Sequence, residues 1–157
     1  MESRPCVRCR ASTRPAVLES AAGEAAPLAV MVQGMPILAC EKGHRQFVHA
    51  EFPRWVVEHL IDEDEARLPA GEEQGLLRKH YRCGGCGSEL QAQSERRETF
   101  PIDMALEGVA PFRVELSAPL YRCPSCSREQ LHSLKEVRRR TPAALAQAFQ
   151  AADLPPG

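Results

Sequence analysis

Seven cysteines and one histidine of this 157-residue chain fall into four close pairs: Cys6-x2-Cys9, Cys40-x3-His44, Cys83-x2-Cys86 and Cys123-x2-Cys126. One tight turn can aim two donors at one ion, and two such turns complete a tetrahedron of thiolate and imidazole ligands. Four pairs make two sites with no cysteine left over. The first set is Cys6, Cys9, Cys40 and His44, and the second is Cys83, Cys86, Cys123 and Cys126. Zinc suits both, so two zinc ions are expected. Iron in a rubredoxin-like centre is the other candidate for the all-cysteine set. His49, five residues beyond His44, is the substitute fourth ligand of the first set. His59, His80 and His132 are expected to be ordinary surface or core histidines.

Other uses of the cysteines fit less well. A redox Cys-x-x-Cys belongs in a thioredoxin-like βαβ context, which this chain lacks. An odd cysteine count argues against a disulfide framework. Interleaved coordination, with the first and third pairs sharing an ion, is geometrically possible. Matching prolines four residues before Cys40 and Cys123 (Pro36 and Pro119) argue for two sequential sites.

The chain is short enough for metals to matter. Aromatic residues make up only 5% of it, sparse for one large core. Each half lies in the size range where a core alone gives a few kcal/mol, whereas a structural zinc supplies roughly 10–16 kcal/mol.

Apolar and polar residues mix along Leu28–Gln33 and Phe112–Ser117 as in half-exposed strands. Thr99–Leu106 and a run beginning at Ala16–Leu18 are their expected partners. Turns are expected at Ser20–Gly23 and Glu107–Gly108, and Pro36 and Pro119 are expected to end the ladders. Phe52–Leu68 reads as a helix with Pro53 in its first turn, and Asp62–Glu65 as its wet end. Residues 71–75 read as a joint, Leu76–Arg82 as a returning strand, and a last helix starts at Pro142 with Thr141 as its cap. Leu154–Gly157 is expected to fray. The fold class that follows is a small metal-bound α+β protein: two tandem β-rich zinc ribbons with a connecting helix and a short C-terminal helix. Residues 1–70 form one domain and residues 71–157 the other.

The stretch Val32-Gln-Gly-Met-Pro-Ile-Leu-Ala-Cys40, with Gly43-His44 and Phe47, resembles the YgiT-type zinc finger, the amino-terminal zinc domain of MqsA-like antitoxins. The resemblance covers about residues 5–50 and, less closely, 82–131. It implies a zinc role for Cys6, Cys9, Cys40 and, by position, His44, where the family usually carries cysteine. The helix-turn-helix domain of those antitoxins has no counterpart after residue 131, so operator binding is not implied.

Formal charge is −1, with ten Lys/Arg against twelve Asp/Glu in residues 1–80 and ten against nine in residues 81–157. That balance gives no electrostatic handle for a polyanion. Arg138, Arg139 and Arg140, near Lys135 and Arg128, form the one basic cluster and the possible nucleic-acid contact, with Tyr81 and Tyr121 as stacking faces. No apolar run suits a secretory signal or a membrane span, so reduced thiols in the cytoplasm and no membrane partner are expected. No carboxylate pair or free nucleophile suggests catalysis. The expected function is a non-catalytic zinc adaptor that binds a protein through a ribbon edge strand or the Trp55 helix. Regulatory nucleic-acid binding is the alternative, and iron electron transfer the third reading.

Overall fold

A computed structural model describes residues 4–155. Two long hairpins dominate it. The first joins β1 (Thr13–Ala25) to β2 (Leu28–Cys40), and the second joins β6 (Arg96–Met104) to β7 (Phe112–Arg122). Four central strands run in the order β1-β2-β7-β6, antiparallel throughout. Short strands β3 (Arg45–Phe47) and β8 (Glu129–Gln130) extend β2 and β7. A separate hairpin pairs β4 (Glu72–Gln74) with β5 (His80–Arg82).

Side-chain alternation explains the central pair. Along β7, Phe112, Val114, Leu116, Ala118 and Leu120 are buried while the residues between them are not. Leu28, Val30 and Val32 of β2 follow the same period, and Val30 lies opposite Leu116 and Val32 opposite Val114. A one-residue slip would turn all of these to solvent, so the register is strongly fixed.

The two halves share this core. One apolar cluster holds Leu18, Met35 and Phe52 together with Met104, Val114, Leu145 and Phe149. The pairing of β2 with β7 crosses the boundary expected at residue 70, and the C-terminal helix packs on β1 and β2 of the first half. Because β2 and β7 are antiparallel, Cys40 and Cys123, at or just past their C-terminal ends, lie at opposite ends of the sheet.

Several sequence expectations are corrected. Both prolines lie inside strands, Pro36 opposite Val17 and Pro119 opposite Arg97. Pro36 falls between the stretch of β2 paired with β7 and the stretch paired with β3. Pro119 falls likewise between the stretches of β7 paired with β2 and β8. A residue without an N–H is tolerated where the lateral partner changes. Ser20–Gly23 is strand, and the first hairpin turns at Ala26 and Pro27 instead. Leu76 and Leu77 lie in the loop before β5.

The last helix, α2 (Leu134–Ala151), starts eight residues before Pro142. Ser133 is its cap: its Oγ accepts the Glu136 amide at 3.1 Å, and Glu136 completes the Ser-x-x-Glu pattern. Thr141, expected as the cap, is buried within the helix. Burial of Val137, Ala144, Leu145, Ala148 and Phe149 on one face holds the helix through the proline. Leu154 is buried, so the chain does not loosen there; Pro156 and Gly157 lie outside the described residues.

The middle helix forms with Pro53 in its first turn, as α1 (Phe52–His59). It continues as a π turn over Leu60–Asp64 and a 3-10 turn over Glu65–Arg67. Glu65, expected to be wet, is buried against Thr141. Burial raises its pKa, Thr141 and Arg138 oppose the rise, and Asp64 adds to it. The Thr141 hydroxyl also lies 2.9 Å from the Val137 carbonyl. That hydroxyl has one proton; a protonated Glu65 can donate to it while it donates to Val137.

Candidate metal centres

Each donor pair is built by the same backbone device. The amides of Arg10, Gly87 and Ser127 donate to the carbonyls of Cys6, Cys83 and Cys123 at 2.8–2.9 Å, and the Gly43 amide donates to Cys40 at 3.0 Å. All four turning residues have φ between 64° and 85°. Glycine adopts that conformation without strain, and Arg10 and Ser127 adopt it only because the turn requires it. The turns direct paired side chains to one point.

The result is two compact donor groups. Donor atoms of Cys6, Cys9, Cys40 and His44 all lie within 4.8 Å of one another, and so do those of Cys83, Cys86, Cys123 and Cys126. Cys9 and Cys40 sulfurs are 3.8 Å apart, Cys83 and Cys126 3.6 Å, and Cys86 and Cys123 3.4 Å. A tetrahedron with metal–sulfur bonds of about 2.3 Å has edges of about 3.8 Å. Replacing one sulfur by imidazole nitrogen shortens its edge to about 3.6 Å, and Cys6 Sγ lies 3.6 Å from His44 Nδ1. Both sets fit a four-coordinate metal ion.

His44 is therefore the histidine placed with the first set. His49 instead stacks on Trp55, with centroids 4.7 Å apart, and accepts the Glu51 amide. His59 pairs with Glu63 and Asp64, and His80 with Glu89. His132 is stacked between Tyr81 and Tyr121, at 4.0 and 3.2 Å, and burial lowers its pKa. Those two tyrosines stack on a histidine, so the faces expected to receive nucleic-acid bases are taken up by His132.

A buried glutamine that no sequence motif marks supports each set. Gln46 lies opposite Leu38, two residues before Cys40; Gln130 lies opposite Tyr121, two residues before Cys123. Gln46 Oε1 accepts the Val7 amide at 2.8 Å, and Gln130 Oε1 accepts the Gly84 amide at 2.9 Å. Each thus holds the residue after the first ligand of its set. Gln130 Nε2 also donates to Cys83 Sγ at 3.2 Å, and the Gly85 amide reaches the same sulfur at 3.3 Å. Gln46 lies six residues past Cys40 and Gln130 seven past Cys123, so no fixed spacing marks these glutamines in the chain.

These donors shape the charge on sulfur. Donation from Gln130, joined by the Cys86 and Gly85 amides, outweighs burial and lowers the Cys83 thiol to about 6. Burial raises Cys6, but the Cys9 and Arg8 amides and His44 bring it down to about 6. Cys126 is lowered by the Arg128 amide, yet burial and the neighbouring sulfurs push it up to about 11. Cys86 is lowered as well, chiefly by Ser88. Cys9 in the first set is lowered by the Ala11 amide but raised overall by burial and its neighbouring sulfurs, so each group holds at least one thiol that ionises readily and one that resists. A divalent cation removes that conflict by binding all the thiolates, releasing protons as it does so.

Exposure differs between the sets. Cys6 and Cys40 are buried, with Cys9 and His44 partly so, whereas the second set has Cys86 and Cys126 exposed. Helix α2 links the two: Ser133 and Leu134 border the cleft that includes Gly84, and Asp153 just past its end pairs with Arg8 of the first turn at 2.9 Å. No family model, no curated protein and no solved structure matches this chain.

Proposed function

We propose that this protein is a non-catalytic zinc-binding adaptor, made of two zinc ribbons fused through one sheet, that binds a protein partner along the free edge of β1. The carrying observation is the pair of four-donor groups with tetrahedral edge lengths at opposite ends of that sheet. Zinc is the ion of this reading because thiolate–imidazole and four-thiolate tetrahedra suit it, and because the first set includes a histidine. The matching placement of Gln46 and Gln130 supports two related ribbons of the YgiT-type pattern. Their role is structural: each ion ties the start of a hairpin to its end.

Among the described residues strand β1 pairs only with β2, and its other edge carries free backbone groups. Its distal part is covered by α2, where the Glu24 amide donates to Gln147 at 2.6 Å, but Val17 remains 65% exposed. Such an edge is a template for an added strand. The Trp55 helix is the weaker candidate, since Trp55 is half-buried and stacked on His49. Nucleic-acid binding through the arginine cluster is less favoured because Arg139 is bound to Glu73 at 2.8 Å and Arg138 faces the buried Glu65.

Elemental analysis of fresh protein is expected to give about two equivalents of zinc. Well under two equivalents of any metal would overturn the reading, and a red protein with thiolate-to-iron absorption would replace zinc by iron at the second set. Titration with single-stranded RNA and duplex DNA at physiological salt is expected to show no binding. In cross-linking within cells, Val17→Lys is expected to reduce capture of the native partner while leaving the zinc content unchanged.

A further inference from the structure

Two leucines at the tip of the β4–β5 hairpin stand apart from every other large apolar side chain among the described residues. Leu76 is 99% exposed and Leu77 100%. Gly75 turns the chain at φ 96°, and the leucines follow it outside any strand. Burying a leucine is favourable, so an adjacent pair left wholly in water marks a contact surface.

The same end of the molecule is basic, which the near-neutral halves of the sequence concealed. Residues 67–90 and 121–140 meet around the second donor set and hold ten Lys/Arg against five Asp/Glu; the rest of the chain holds ten against sixteen. Four thiolates around a divalent ion cancel part of that excess and leave the end cationic. Lys79 and Arg139 are taken up by Glu73. Arg78, Arg82, Arg128 and Lys135 are exposed and form no ion pair among the described residues.

We propose that this end docks on an anionic lipid surface, with Leu76 and Leu77 entering the headgroup–acyl boundary and the unpaired cations lying against lipid phosphates. Two side chains on a narrow tip fall far short of the roughly 1,000 Å² a stable protein interface buries. A fluid apolar phase needs no shaped pocket to receive them. A nucleic acid would engage the cations but leave the leucines in water, and Tyr81 and Tyr121 are already stacked on His132. This is a surface contact, so the lack among the described residues of a helix able to cross a membrane does not bear on it. It goes beyond the adaptor reading: one end would meet a membrane while the β1 edge holds a protein.

The test is co-sedimentation of the full-length, metal-loaded protein with vesicles of phosphatidylcholine alone, or with about one third phosphatidylserine. Binding is expected to the anionic vesicles only and to weaken as salt rises. Leu76→Ser/Leu77→Ser is expected to weaken it at least about tenfold with an unchanged melting temperature, since both leucines are fully exposed among the described residues. Arg78→Gln/Arg82→Gln is expected to cost about an order of magnitude. Absence of sedimentation with anionic vesicles, binding undiminished in the leucine variant, or tighter binding to an RNA oligonucleotide than to vesicles would each overturn the proposal.

Discussion

Gln130, fully buried, fills two roles with one side-chain amide. Its oxygen holds the Gly84 amide of the first cysteine turn, and its nitrogen steadies the Cys83 thiolate. Gln130→Leu keeps most of the volume but removes both contacts, leaving the Gly84 amide unsatisfied. Metal affinity at the second site is expected to fall about 10–100-fold, the usual cost of losing a partner that orients a ligand. The pH dependence follows from the direction of the shift. Donation lowers the folded Cys83 pKa to about 6, so the thiolate favours the metal-free fold above the ordinary thiol value, and that contribution is lost as pH falls through about 6. Removing the donor raises the pKa and lets protons compete with metal at higher pH. Chelator-dye titrations across pH should therefore show the midpoint of metal loss moving upward in the variant. Gln46→Leu should shift the first site less, because Gln46 donates to the Pro5 carbonyl rather than to a sulfur.

Between elements, close backbone approach and buried polar contacts decide the geometry, and these were the least legible part of the sequence. The ligand pairs were readable because a metal demands donor types at fixed spacing, and β7 because its alternation is unbroken. Gly23 carries the signature of a turn because glycine usually punctuates. In the fold it lies within β1, near its end, and a Cβ there would sit 2.1 Å from the Ala144 carbonyl oxygen and 2.4 Å from the Ala148 nitrogen. No local pattern announces a helix 120 residues away. Gly23→Ala must push α2 off β1 and is expected to cost about 1–3 kcal/mol in urea denaturation, with the metal content unchanged. The start of α2 is hidden in the sequence for a related reason: Pro142 has the local signature of a first turn, and the apolar face that carries the helix through it is visible only against the sheet. Glu65 and Thr141 make the second contact of this kind. A raised carboxyl pKa means that the folded state holds the proton more tightly, so the contribution is full below the ordinary value and lost as pH rises through the folded one. Glu65→Gln keeps a donor at all pH values. Its melting temperature should rise relative to the parent between pH 4 and pH 8, and a constant difference would show that folding leaves the Glu65 pKa unchanged.

For the whole molecule, the question is whether two metal sites mean two folding units. The sequence favoured two, since each half carries a complete donor set and little core. The structure removes the physical basis for independence: β2 pairs with β7, both halves fill one apolar cluster, and α2 runs from the cleft beside Gly84 to the Arg8–Asp153 ion pair. A unit that lost its metal would expose apolar surface that belongs equally to the other. Cys123→Ser should therefore lose the second ion and lower the melting temperature of the entire chain in one transition, rather than melt one half and leave the other intact. Calorimetry should give equal calorimetric and van't Hoff enthalpies for parent and variant. Hydrogen exchange should show the amides of β2, far along the sheet from the altered ligand, losing protection together with those of β7. Two separated transitions, with β2 still protected after β7 has opened, would mean that each ion fastens its own hairpin and that the shared sheet adds little to cooperativity.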